Sequence, residues 1–205
     1  MAKSSVSKNI DMLYEISAFR YVQRTWRQFL GLDFANNAEH SFHVAWIALV
    51  IASMEGKKID TGRMLKLALM HDICESRTGD RNYLSRQYIQ KNDELAINDI
   101  FRGTVLEKEM KDLLVEMEKK ESLESRIVKD ADTLDIDFEI MEQLSKGNNM
   151  GKDWTRFRHA GAYKGLYTNT AKKLFKQIYK SNPHSWHMQG RNRFVAGDYK
   201  KYYKK

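Results

Sequence analysis

The sequence predicts an all-α fold, and three observations carry that expectation. A single proline, Pro183, stands in 205 residues, so little interrupts helix formation. Alternating runs of β-branched residues, the mark of half-buried strands, do not extend beyond a few positions. Apolar residues instead recur at spacings of three and four, the period of one helix face. With 42% hydrophobic residues, the chain suits one packed helical bundle, and nothing in it demands two domains.

Residues 10–30 form the first expected helix, with Leu13, Ile16, Phe19, Val22, Trp26 and Phe29 or Leu30 on one face and Gly31 as its stop. It carries Arg20, Arg24 and Arg27, which suit either solvent or a substrate phosphate. After the loop LDFANN, Asn36 or Asn37 is a candidate N-cap for a second helix with Glu39 in its first turn. That helix places His40 and His43 on one face, then an apolar body over 44–54 before the turn at Gly56. Asp60 or Thr61 can cap a third helix, which runs through Met64, Leu67 and Ala68 into His71 and Asp72 and ends near Arg77. A fourth stretch reaches from Ser85 to the Gly103 stop, and a fifth, charged and amphipathic, spans 105–119.

The strongest later helix covers 123–144. Ile127, Ala131, Leu134, Phe138 and Met141 make its inward stripe, and Asp130, Asp132, Asp135 and Asp137 crowd around it. Four aspartates this close are unfavourable in a helix interior, because like charges three or four apart repel. A nearby cation would relieve them; plain surface acidity is the alternative. The stretch SKGNNMGKDW breaks the pattern, a basic aromatic segment runs to Tyr167, and a last helix over 171–180 stops at Pro183.

Charge is unevenly placed. Residues 150–205 carry 14 Lys and Arg against 2 acids, a net +12, whereas the first 149 carry 21 against 25, a net −4. The tail at 182–205 interleaves Trp186, Phe194, Tyr199, Tyr202 and Tyr203 with cations, as single-strand nucleic-acid binders do. Contact with nucleic acid, or a part in subunit association, is therefore an expectation for that tail. No segment has the 18 or so unbroken apolar residues of a membrane span, and the N-terminus lacks the apolar centre of a signal peptide. A cytoplasmic protein without membrane contact is expected. The one cysteine, Cys74, excludes an internal disulfide and fits a reducing compartment. Acidic neighbours would raise its pKa, so it reads as a small buried residue rather than a nucleophile.

The chemistry gathers at LMHDICESRTGD, residues 69–80. His71 and Asp72 cannot both face the core, because successive helix positions diverge by about 100°. A divalent metal taking the imidazole nitrogen and the carboxylate as ligands would compensate both. A histidine from one helix, a His-Asp pair at the end of the next and an aspartate from a later helix would complete two nitrogens and two oxygens around one ion, leaving positions for water and a phosphate oxygen.

The order EHSFHVA, then MHDICESRTGD, then KDADTLD resembles the HD-domain metal-dependent phosphohydrolases, and in detail their compact 5'-deoxynucleotidase branch. The resemblance covers residues from about 19 to 144. The spacing of His71, Asp72, Glu75 and Asp80 looks like that branch's extension of the HD signature, and the Arg24–Trp26 triplet RTW also looks like the branch. The resemblance implies an HD-domain helical bundle with one divalent ion (Mn, Co, Fe, Ni or Zn) held by His40, His71, Asp72 and Asp132. His40, between Glu39 and Ser41, matches the family position, and His43 does not. It implies acid and base roles for Glu75 and Asp80, with their division left open, and substrate roles for Arg24 and Trp26. The expected organisation is a phosphohydrolase unit over 1–181, its core at about 10–145, followed by the tail.

The activity so implied is hydrolysis of deoxynucleoside 5'-monophosphates, by a likewise implied homodimer. HD domains also cleave phosphodiesters and nucleoside triphosphates, and site geometry rather than fold separates these. The small basic complement of the first 149 residues favours a monophosphate.

Overall fold

The computed structural model describes residues 5–189, and among these every regular element is helical. In chain order they are α1 (Ser5–Ala18), a 3-10 turn (Phe19–Tyr21), α2 (Arg27–Leu30), α3 (Asn37–Glu55), α4 (Thr61–Met70) and α5 (Glu75–Thr78). A second 3-10 turn (Ser85–Gln87) precedes α6 (Asp93–Phe101), α7 (Glu107–Lys119), α8 (Leu123–Ser145) and α9 (Met150–Phe157). A π-helical turn (Arg158–Ala162) then leads to α10 (Tyr163–Gly165), α11 (Asn169–Ile178) and α12 (Ser185–Met188). None of these helices is long and apolar enough to cross a membrane. Phe194, Tyr199, Tyr202 and Tyr203, on which the nucleic-acid expectation rests, lie outside the described residues.

The frame is α8, packed on α3, α4, α9 and α11. Ile127, Val128, Ala131, Leu134 and Ile140 are fully buried along it, which is how a helix rich in aspartate remains stable: apolar burial outweighs poor propensity. The main core joins Val44, Ile51, Met64, Leu67, Ile97 and Leu113 to the first four of these residues. It continues past residue 145, because Leu166, Ala171, Phe175 and Ile178 are buried in it as well. A smaller cluster of Leu30, Phe34, Ile136 and Ile140, with Trp26, Phe29 and Trp154 packed on it, lies beside the cleft described below.

Helix starts follow the sequence closely. Asn36 caps α3 in a full capping box: its Oδ1 accepts from the Ala38 and Glu39 amides at 3.0 Å, and Glu39 accepts from the Asn36 amide at 2.9 Å. Asp60 caps α4 and Ser122 caps α8.

Helix continuity differs in three places. The expected helix over 10–30 is broken after Tyr21, where Val22 accepts from the Asn37 amide at 2.9 Å and Gln23 bridges to Asn36. The third expected helix ends at Met70, leaving His71 and Asp72 in the turn before α5. The fourth begins only at Asp93, capped by Asn92. In the first case bonds to residues distant in sequence, and in the third a local cap, replace the next turn of helix.

Candidate active site

Four side chains from three parts of the fold converge. His40 comes from the second turn of α3 and is 1% exposed, His71 and Asp72 from the turn after α4, and Asp132 from α8. His40 Nε2 lies 3.2 Å from His71 Nε2, 3.4 Å from Asp72 Oδ2 and 3.3 Å from Asp132 Oδ1. One donor atom from each residue falls within 4.8 Å of the others.

The histidine tautomers follow from their other nitrogens. His40 Nδ1–H donates to Asp135 Oδ2 at 2.6 Å, and His71 Nδ1–H donates to the Ala68 carbonyl at 2.8 Å. Both partners are acceptors, so in each neutral ring Nε2 carries a lone pair. Two lone pairs and two carboxylates facing one point repel unless a cation sits among them. The titration behaviour has the same cause. Burial opposes charging His40, but Asp132, Asp135 and Asp72 outweigh it and raise its pKa well above the ordinary histidine value. Burial likewise works against ionised Asp72, yet His71 and His40 bring it well below the usual carboxylate range. The donor set thus fits one divalent ion, with imidazole and carboxylate ligands that suit several first-row metals.

The four aspartates of α8 make distinct contacts. Asp130 accepts from the Tyr167 and Thr168 amides at 2.7 and 2.8 Å and anchors the chain entering α11. Asp132 faces the cluster. Asp135 accepts from both His40 and His43, each at 2.6 Å. Asp137 is held by Arg158 at 2.8 Å and by the Tyr179 hydroxyl at 2.6 Å. Three of them, Asp130, Asp135 and Asp137, are 1% exposed or less, so the surface-acidity alternative fails.

A cleft of about 310 Å³ opens beside the cluster, and its wall includes Arg24, Trp26, Asp72, Glu75, Asp80 and Asp132. The broken first helix brings residues 24–26 here: Asp80 Oδ2 accepts from the Thr25 amide at 2.7 Å and its hydroxyl at 2.9 Å. Gly79, at φ +68°, makes the turn that delivers Asp80. Arg24 is buried and donates through Nη1 to Asp72 at 3.2 Å, while its Nε has no partner. Trp26 stacks on Phe34, with centroids 6.4 Å apart, and meets Trp154 edge-on at 4.7 Å.

Glu75 is 4% exposed and takes a hydrogen bond from Asn37 Nδ2 at 2.6 Å and an ion pair from Lys91. Burial and the neighbouring Asp72 and Asp80 raise its pKa, and Lys91 draws it down. Cys74 is buried and its thiol is pushed up by burial, Asp93 and Asp72, in keeping with an inert residue.

All eight residues singled out in the sequence meet at the cluster or its cleft. Sequence reasoning missed Asn37, Lys91 and Asp135 as partners, and it missed Trp154 and Arg158, which α9 and the following turn bring to the cleft. The break at 145–154 hid that last contribution. Nor did a charge count along the chain foresee the gathering of Arg24, Arg81, Arg86, Lys129 and Arg158 around one cleft.

A protein named 5'-deoxynucleotidase from Klebsiella pneumoniae (strain 342) is 29% identical over 148 residues, covering 65% of this chain and 73% of the relative. The structure of a conserved hypothetical protein from Pyrococcus furiosus superposes with a TM-score of 0.70 at 25% identity, over 84% of this chain and 99% of that one. A predicted metal-dependent phosphohydrolase from Magnetospirillum magnetotacticum shares the fold, with a TM-score of 0.68 at 19% identity over 86% and 92% of the two chains. The family model of the HD domain matches residues 16–178, which span the helices carrying the His-Asp cluster, and on that match the chain belongs to the HD domain family.

Proposed function

We propose that the protein is a metal-dependent phosphohydrolase that converts deoxynucleoside 5'-monophosphates to deoxynucleoside and phosphate. The observation that carries this is the pair of imidazole lone pairs held 3.2 Å apart beside Asp72 and Asp132, two carboxylates that line a cleft together with Glu75, Asp80 and Arg24. A relative named for 5'-deoxynucleotidase activity supports the choice of substrate.

When bound by His40, His71, Asp72 and Asp132, a divalent ion (Mn, Co, Fe, Ni or Zn) supplies a water of lowered pKa and polarises the phosphate. Arg24 steadies the phosphate through its guanidinium. Of Glu75 and Asp80, one takes a proton from the attacking water and the other returns one to the departing 5'-oxygen. Trp26 packs on the sugar and disfavours a 2'-hydroxyl. Trp154 and Tyr83, whose rings lie 6.1 Å apart at the cleft, offer faces to the base.

A second reading, a substrate with more than one phosphate, is favoured by Arg81 and Arg86, which line the cleft with no ion-pair partner among the described residues. Phosphate release from a panel of deoxy- and ribonucleoside monophosphates, diphosphates and triphosphates and a diester, with added metals and beside Asp72→Ala, separates the two. Release from deoxynucleoside monophosphates that is lost in Asp72→Ala is the expected result. Cleavage of triphosphate or diester alone overturns it. Homodimerisation, a cytoplasmic setting and nucleic-acid contact through residues 182–205 complete the reading. For nucleic-acid contact, a salt-dependent gel shift lost on truncation at residue 181 is the test.

A further inference from the structure

Glu75 is held in a manner that stability does not explain. It sits at the first position of a four-residue helix, α5, too short to fix a side chain by itself. Two donors from other elements do so: Asn37 at the start of α3 meets Oε2 at 2.6 Å, and Lys91, from the stretch before α6, pairs with Oε1. The Lys91 side chain is only 15% exposed and that of Glu75 only 5%. Withdrawing both charges from water offsets much of their attraction, and an apolar pair of similar volume often serves a fold as well or better. Asn37 is fully buried, and its Oδ1 has no hydrogen-bond partner, a further cost that folding does not recover.

Both unfavourable features bear on one side chain, and that side chain lines the same cleft as Asp72 and Asp132 of the metal-binding cluster. Behind it, a second cleft of about 510 Å³ is lined by His71, Glu75, Arg86, Gln90 and Lys91, among others. Asp72, Glu75 and Arg86 line both clefts, and of the two only the second is lined by Lys91.

We propose that Lys91 and Asn37 are positioning residues for Glu75, fixing both carboxylate oxygens so that the side chain meets the phosphoryl group and its water at one angle. This rests on the hydrolase reading above. Lys91 contributes the ion pair and Asn37 sets the rotation of the carboxylate plane, because a carboxylate anchored at both oxygens cannot turn about its last bond.

The test is steady-state phosphate release by the metal-loaded protein, on whichever phosphate ester the wild type cleaves, together with metal affinity by calorimetry. Lys91→Met is expected to lower kcat by 10- to 100-fold while KM and metal affinity stay within about twofold. In a Glu75→Gln background the same substitution should add nothing, since Lys91 acts through that carboxylate. The second cleft gives a small cation access to the vacated place, so ethylammonium should restore part of the activity of Lys91→Ala. Should Lys91→Met prove misfolded by circular dichroism, Lys91→Gln takes its place. A kcat within twofold of wild type, a full additive loss on Glu75→Gln, or a parallel loss of metal affinity would each overturn the proposal. Absence of monophosphate hydrolysis in the wild type would instead count against the substrate reading.

Discussion

Asp135 receives His40 Nδ1 and His43 Nδ1 on its two oxygens, so the histidine that does not face the cluster helps orient the one that does. Such outer contacts fix ring tautomer and ligand basicity. At this scale identities were more legible than partnerships: the His71–Asp72 pair stood out from the residues alone and the resemblance supplied His40 and Asp132, whereas the Asp135 link joins residues 95 apart, which periodicity cannot pair. Trp26 was legible as part of an apolar helix face and as a neighbour of arginine, and its packing on Phe34 and Trp154 gives it a fixed face. Trp26→Ala is expected to narrow the preference for deoxy over ribo substrates by about tenfold or more, read as the ratio of kcat/KM values. An unchanged ratio would sink steric exclusion by this ring.

Among the elements, α8 carries the clearest pH signature. Glu139, on its last turns, is raised to about 7 by burial, with Asp135 adding repulsion. A raised carboxyl favours the folded state below its ordinary value of 4.5, and that contribution is lost as pH climbs through the folded value. Glu139→Gln stays neutral and keeps an acceptor for the Ala35 amide. The variant should exceed wild type in stability at pH 8 by about 1–3 kcal/mol, the gap closing toward pH 5, in urea melts at several pH values. Parallel curves for the two proteins would refute this. The caps of α3 and α4 were readable because a cap is a local event. The break at residues 22–26 was not, since it depends on Asn37 and Asp80 bonding from afar.

For the whole molecule, the bundle was predictable from apolar periodicity, but the reach of its core to Phe175 and Ile178 was not, because the intervening 145–168 region lacks a long regular helix. Phe42, Trp46, Val50 and Met54 form an exposed row along α3, and no Lys, Arg, Asp or Glu lies between Glu39 and Glu55. A helix that is apolar all round is ordinarily covered, which suits the homodimer proposed above. Trp46→Lys should shift the protein to monomer in size-exclusion chromatography with light scattering. A dimer that persists in the variant would move the interface elsewhere.

The division of the α8 aspartates has a consequence for how such a protein can diverge. Asp130 addresses Tyr167, Asp132 and Asp135 the two ring nitrogens of His40, and Asp137 Arg158, all around one axis. Inserting a single residue among them would rotate the following carboxylates by about 100° and disconnect several contacts together, with no gradual route to repair. The loop after Asp80, which supplies Arg81, Tyr83 and Arg86 to the cleft, bears no such tie to the helix register. Changes in substrate choice can accumulate in that loop while the hydrolytic chemistry stays under the strict register of α8.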